Sequence, residues 1–207
     1  ETDYSPTKPT FEGIKYYDNI PAEELVDYID WTPFFNAWGF NSRHPKVLEN
    51  DKTKNEAQKL FDDGKSLLNQ AIKEKWFDAK ATIGFFPANS SGDDIILHNK
   101  KLSLNNLRQQ IAKRDGKPNY CLSDFIAPID SGKKDWIGGF AVTAGFNVEK
   151  IGQDFADNND DYKSIMIKVL GDRIAEALAE KMHEKVRIEL WGYSKNEGLN
   201  NEDLIKE

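Results

Sequence analysis

The chain has 207 residues, 30% of them charged, with a net charge of −7 and a single cysteine, Cys121. An acidic chain repels phosphate backbones, so we expect no nucleic-acid partner. No run approaches eighteen apolar residues and no signal-peptide pattern opens the chain, so we expect no membrane partner and a cytoplasmic location. A lone cysteine forms no internal disulfide and excludes a cysteine-based zinc finger.

The N-terminal part of the chain predicts an extended arm followed by short helices. Residues 1–20 are polar and form the arm, and a domain is predicted over 21–207. Pro21 favours the first turn of a short helix, and Pro33 opens another that runs to about Gly39. A longer helix is predicted over 52–75, because its apolar residues recur at spacings of three, four and seven.

The middle of the chain predicts a sheet with short connections. Four runs are interpreted as strands: 81–86, 95–97, 120–126 and 135–143. Pro87 to Asp94 is interpreted as a turn-rich loop and 105–112 as a helical turn. Short connections favour antiparallel neighbours.

The C-terminal part predicts one long helix near 160–189, because apolar residues step by four from Tyr162 to Val186. A further short helix is predicted to begin at Asn201. The predicted fold class is α+β, a single domain with a central twisted, largely antiparallel sheet flanked by helices.

Acidic residues line part of this long helix. Asp172, Glu176 and Glu180 are spaced by four, and His183 follows Glu180 by three. Three carboxylates on neighbouring helical rows could bind a cation, but such stripes are more often solvated surface. The Glu-x-x-His pattern of di-iron bundles needs a second copy and two further glutamates, which we do not find. We therefore predict no metal.

One carboxylate stands in an unusually aromatic stretch. The sequence YIDWTPFFNAWGF, residues 28–40, contains six aromatic residues around Asp30. Asp30 could cap the helix that begins near Pro33, which local sequence favours. Alternatively, it could anchor a cationic ligand beside a wall of rings, where water competes less for the charge. His44 and His98 have no motif partner and are interpreted as surface or capping residues.

Several long stretches share their order with one family. They are IDWTPFF (29–35), EAQKLF (56–61), GFFPAN (84–89), LRQQ (107–110), NYCLSDFIAP (119–128), DRIAEALAE (172–180) and NEDLI (201–205). In this order the chain, from about residue 21, resembles the C-terminal activation domain of cobalamin-dependent methionine synthase. The resemblance implies a domain that is similar to a helmet-like α+β structure with a central twisted antiparallel sheet.

The resemblance also implies a function. Such a domain binds S-adenosylmethionine and docks on the cobalamin-binding domain of the same polypeptide for reductive methylation of cob(II)alamin. The electron comes from a flavodoxin-like or other donor, and the cycle supports methyl transfer from methyltetrahydrofolate to homocysteine. The parent polypeptide is then the methyltransferase, and the fragment alone is expected not to be catalytic.

Site residues follow from the motifs that match. The resemblance implies that Asp30 holds the amino group of S-adenosylmethionine, and that Glu176 and Glu207 lie near its sulfonium. Asp172 matches an aspartate that meets the histidine leaving the cobalt. A further acid of that contact falls at Val148 here, with Glu149 next to it, so that contact is not preserved residue for residue.

One family motif is not found in this sequence. The Arg-x-x-x-Gly-Tyr-Pro motif that binds S-adenosylmethionine follows the segment that here ends at Glu207. We therefore expect a truncated piece of the domain that binds this ligand weakly or not at all. The alternatives are a stand-alone module for another cationic small molecule and a purely structural docking domain.

Overall fold

The computed structural model describes residues 5–113, 116–196 and 198. Its strands are β1 (Gly13–Ile20), β2 (Ala79–Ser91), β3 (Asp94–Leu97), β4 (Leu102–Leu104) and β5 (Asp135–Thr143). Its α-helices are α1 (Thr32–Ala37), α2 (Lys54–Lys73), α3 (Asn147–Asp157) and α4 (Asp161–Lys185). Short 3-10 turns lie between them, including Ala22–Tyr28, and a π-helical turn, Val186–Leu190, continues α4. None of the helices described has both the length and the apolar content needed to cross a membrane.

The five strands form one sheet. The strands follow the order β1-β2-β3-β4, and β5 also pairs with β2. The pairs β2–β3 and β3–β4 are antiparallel. The α+β prediction is confirmed, as are the helix near 160–189, the helix over 52–75 and the strand at 135–143.

The loop predicted from Pro87 to Asp94 is wrong. Strand β2 continues through Pro87 to Ser91, which pairs with Asp94. Pro87 has no N–H, but its carbonyl accepts the backbone N–H of His98 at 3.1 Å, so it still contributes to the sheet. Only two residues form the turn, and the first, Gly92, has φ of 61°, a value that favours glycine.

Two other predicted elements are also wrong. Residues 105–112 form no helix, and the strand predicted at 120–126 is a 3-10 turn, Leu122–Phe125. Side-chain hydrogen bonds replace a backbone ladder here. The Asp124 carboxylate accepts the backbone N–H of Cys121 at 2.8 Å, and the Arg108 guanidinium donates to the carbonyl of Asn119 at 2.7 Å.

Three elements were not predicted. Strands β1 and β4 carry mostly exposed side chains, so neither shows apolar alternation. Helix α3 was missed although Val148, Ile151 and Phe155 recur at spacings of three and four, a pattern that predicts an amphipathic helix.

The chain divides into two compact units, which we describe separately. The strand unit contains residues 5–15, 83–113, 116–140, 185–196 and 198, and the helical unit contains residues 16–82 and 141–184. In the strand unit, the core has Ala88, Ile95 and Leu97 at its centre, with Phe86 and Ile137 against them.

Residues 7–12 of the N-terminal arm are held within the strand unit. The Trp191 indole N–H donates to the carbonyl of Thr7 at 2.7 Å, and the Trp136 indole N–H donates to the Glu12 carboxylate at 3.0 Å. The backbone N–H of Thr10 donates to the carbonyl of Leu190 at 3.0 Å. The arm is therefore ordered by contacts with residues far along the chain.

The helical unit has an apolar core formed mainly by α1, α2 and α4. Its fully buried large side chains include Leu25, Phe34, Phe35, Ile167, Leu170, Ile174 and Leu178. Helix α2 approaches α1 closely at Gly64, where an added Cβ would lie 2.6 Å from Cζ of Phe34. Gly64 therefore serves packing, although glycine lowers helix propensity.

Candidate functional site

A cluster of rings forms one part of the helical unit. Trp31 lies edge-on to Phe34 and to Phe61, with ring centroids 5.2 and 4.9 Å apart. Phe35 is fully buried and stacks on the His44 imidazole at 6.0 Å with an interplanar angle of 9°. The His44 ring also lies 5.3 Å from Phe61. These rings form an apolar surface next to the polar residues described below.

Asp30 lies at the exposed edge of this cluster. Its Oδ1 accepts the backbone N–H of Thr32, the first residue of α1, at 2.8 Å. The prediction that Asp30 caps this helix is not met as stated, because Trp31 is the N-cap residue and gives no side-chain cap; the Asp30 bond instead forms an Asx turn just before α1. The bond fixes the orientation of the carboxylate, whose second oxygen, Oδ2, can accept a hydrogen bond from a ligand.

The segment around Asp30 runs along helix α4. Tyr28 donates its hydroxyl to the Glu184 carboxylate, which raises the pKa of Tyr28 to about 12, and Lys181 pairs with Glu24. Ten residues after Tyr28, the Trp38 ring lies 4.9 Å from the Tyr162 ring. Asp30 lies between these contacts in sequence, and Glu176 lies between them on α4.

Glu176 lies at the margin of the side of α4 that this segment contacts, about 140° around the helix axis from Lys181, which pairs with Glu24. At about 100° per residue, it lies about 40° around the helix axis from Tyr162 and about 80° from Glu184. Its side chain is 48% exposed and pairs with Arg173, whose own side chain is only 14% exposed. The helical unit thus presents two exposed acids, Asp30 and Glu176, and a ring cluster.

Comparison with known proteins identifies the architecture. Residues 21–207 match the family model described as the activation domain of vitamin B12-dependent methionine synthase. The chain belongs to this family. A solved structure, the crystal structure of the MetH reactivation domain bound to AdoHcy, matches with a TM-score of 0.91 and 42% sequence identity. The match covers 99% of this chain and 64% of that one, so the chain spans less than two thirds of the length of its relative.

Asp172, the third predicted site residue of this activation domain, is exposed on α4, one turn before Glu176. The position at which the resemblance implies a further acid is Val148. Val148 is buried and packs against Gly171, where an added Cβ would lie 2.8 Å from its Cγ1. The neighbouring Glu149 pairs with Lys168 at 2.8 Å. Val148 therefore packs α3 against α4, and Glu149 is already paired.

Glu207, the remaining predicted site residue, lies outside the described residues. The Glu180–His183 pair, considered above for a metal, lies on α4. Across the residues that the structure describes, no three His, Cys, Asp or Glu side chains form a group that could hold a metal ion.

His44 was not predicted from sequence as part of the site. Its backbone N–H donates to Oγ1 of Thr32 at 3.3 Å, which brings it to the start of α1. Burial lowers the pKa of His44, Asp30 acts in the opposite direction, and Lys65 lowers it further. No local sequence signal indicates this position, because Phe35 and His44 meet only through the fold.

Proposed function

We propose that this activation domain binds S-adenosylmethionine and supports the reductive methylation of cob(II)alamin within a B12-dependent methionine synthase. The observation that carries the proposal is the match, at 42% identity, to a reactivation domain bound to AdoHcy. AdoHcy is the product that remains when S-adenosylmethionine donates its methyl group. In the parent polypeptide this step would support methyl transfer from methyltetrahydrofolate to homocysteine.

Asp30 is the proposed anchor for the ligand ammonium group. Its carboxylate is exposed and oriented by the hydrogen bond from Thr32 at 2.8 Å. A charge-assisted hydrogen bond of this kind contributes about 1.5–3 kcal/mol. The neighbouring Trp31 ring adds apolar surface that reduces competition from water.

Glu176 and Glu207 are proposed to face the sulfonium. A sulfonium carries a fixed positive charge and has no proton to donate, so negative charges and ring faces stabilise it. Glu176 pairs with Arg173, which keeps its carboxylate on the surface of α4 but also offsets part of its charge. We therefore assign Asp30 a larger share of the affinity than Glu176.

Asp172 is proposed to contact the cobalamin-binding domain of the same polypeptide. It is exposed and lies one helical turn from Glu176, so one side of α4 would meet both the ligand and the docked domain. When bound there, cobalamin supplies the cobalt that accepts the methyl group. The electron donor is a flavodoxin-like or other reduced partner, and the location is the cytoplasm.

The test uses a full-length methionine synthase that contains this domain. Asp30→Asn keeps the shape of the side chain and removes its charge. The S-adenosylmethionine concentration that gives half-maximal reactivation should rise about 10- to 100-fold, since 1.4 kcal/mol corresponds to a factor of ten. Glu176→Gln should give a smaller rise in the same assay.

Asp27→Asn is the matched control, because Asp27 is an exposed acid in the same segment with no assigned role. It should leave the requirement for S-adenosylmethionine unchanged. An unchanged requirement in Asp30→Asn would instead favour a domain that only docks, and would contradict the anchor.

A further inference from the structure

We propose that His44 controls the strength of the Asp30 anchor, so that a cationic ligand binds well only while the His44 imidazole is neutral. This inference rests on the proposed function, because the ligand it concerns is the S-adenosylmethionine held by Asp30. It assigns a role in ligand affinity to a residue outside the motifs that identify the family.

The link between the two residues is short. The His44 backbone N–H donates to Oγ1 of Thr32 at 3.3 Å, and the Thr32 N–H donates to Oδ1 of Asp30 at 2.8 Å. Thr32 therefore holds both residues at the start of α1. The His44 ring is fixed by stacking on Phe35 at 6.0 Å and by contact with Phe61 at 5.3 Å.

Two charged groups shift the pKa of His44, and they act in opposite senses. Asp30 raises the pKa of the imidazole, whereas Lys65, whose ammonium lies 5.1 Å from the centre of the Phe61 ring, lowers it. Burial against the rings lowers it most. The net effect, chiefly of burial, lowers the pKa of the imidazole below its ordinary value, which favours the neutral form over a wider pH range than in a free histidine.

Protonation of His44 would place a cation within electrostatic reach of the anchor, because Thr32 bonds both residues and Asp30 already acts on the pKa of the ring. The imidazolium offsets the Asp30 charge and repels the ammonium of the ligand, so affinity for a cation falls. The coupling between proton binding and ligand binding is reciprocal, so the bound cationic ligand should lower the pKa of His44. For unit charges several ångströms apart near solvent, we expect about a three- to tenfold loss of affinity.

The first measurement is the dissociation constant for S-adenosylmethionine of the full-length enzyme, by calorimetry between pH 5 and 8. The constant should rise about three- to tenfold toward pH 5 in the wild type. It should stay nearly flat in His44→Phe, which keeps an aromatic ring but cannot titrate. His98→Gln, which removes an imidazole from the strand unit, should follow the wild type. The same pH dependence in His44→Phe as in the wild type would overturn the inference.

The second measurement needs no ligand. Proton NMR of the 207-residue chain resolves the imidazole titrations, and His44→Phe assigns one of them. Asp30→Asn should lower the pKa of His44, while Asp27→Asn should leave it unchanged. An unchanged His44 pKa in Asp30→Asn refutes the coupling whatever the ligand does. If the coupling is present but the wild type binds no ligand at any pH, the proposed function fails instead.

Discussion

Two apolar-rich, largely irregular segments of this activation domain differ in the burial of their large side chains. In the aromatic segment, residues 28–44, Phe34 and Phe35 are completely buried. In the outer segment, residues 105–113 and 116–131, Leu107 is 92% exposed and Phe125 is 71% exposed. Apolar content alone therefore does not decide whether a segment packs inward.

The difference lies in what holds each segment. The aromatic segment precedes α2, whose Gly64 leaves room for the Phe34 ring, so burial of rings fixes its course. The outer segment is fixed by charge. The Arg108 guanidinium donates to the Asp93 and Asp124 carboxylates, in each case at 2.7 Å. Its backbone is thus held in place while most of its large apolar side chains, among them Leu107 and Phe125, remain at the surface.

The largest effect should come from removing a buried ring. Phe34→Ala should lower the free energy of unfolding by about 3–5 kcal/mol, because it removes buried surface and leaves a cavity. Phe125→Ala is the matched change in the outer segment and should alter the free energy of unfolding by at most about 0.5 kcal/mol. Urea denaturation measures both, and similar losses in the two variants would contradict the contrast.

A smaller effect should follow from filling the space at Gly64. Gly64→Ala places a methyl 2.6 Å from Phe34, so despite better helix propensity it should destabilise the protein by about 1–3 kcal/mol. Gly139→Ala is the control, since nothing lies within 4 Å of its added Cβ. If Gly64→Ala stabilised the protein, the close packing of Phe34 of α1 against Gly64 of α2 would be contradicted.

The smallest change in overall stability should come from removing the Arg108 clamp, by which we mean the ion pairs of Arg108 with Asp93 and Asp124. Arg108→Gln removes both ion pairs, but because the groups are near solvent, overall stability should change little. Hydrogen exchange should instead become faster in peptides covering 119–125. Lys100→Gln, a change at another exposed cation, is the control and should leave those peptides protected. If Arg108→Gln also left them protected, the clamp would have no role in holding this segment.

Acid should release the same clamp. The Arg108 guanidinium and the Cys121 N–H lower the pKa of Asp124 to about 2. Since the pKa in the folded protein lies below the unfolded value near 3.8, the stabilisation is complete above about pH 5 and is lost as pH falls through about 2. Protection of the amides at 119–125, measured as exchange relative to the intrinsic rate at each pH, should therefore fall over that range.

The sequence predicts those parts of the fold in which periodicity and burial agree. Helices α2 and α4 bury a regular stripe and were predicted close to their observed bounds. Strand β5 was predicted from its apolar composition, although Gly138 to Ala141 in its middle are exposed. The outer segment misled the prediction because most of its large apolar side chains, including Leu122 and Phe125, are exposed. There, the pairing of Arg108 with Asp93 and Asp124 joins positions 15 and 16 residues apart, which no local pattern encodes.

The candidate site was predicted through motifs rather than through local rules. Asp30 and Glu176 are 146 positions apart in the sequence, and only the path of the aromatic segment along α4 relates them. The stacking of His44 on Phe35 depends on how the chain returns after α1. Such contacts are set by tertiary packing, and the motif IDWTPFF does not contain them.

The N-terminal arm has a practical consequence for proteolysis. A protease that cut just before Pro21 would leave the whole segment matched by the family model intact, yet it would remove Thr7 and Glu12. The indole nitrogens of Trp136 and Trp191 would lose their acceptors, and water would reach the rings. The smallest unit that keeps both tryptophans in their native surroundings therefore begins before the boundary that sequence similarity marks.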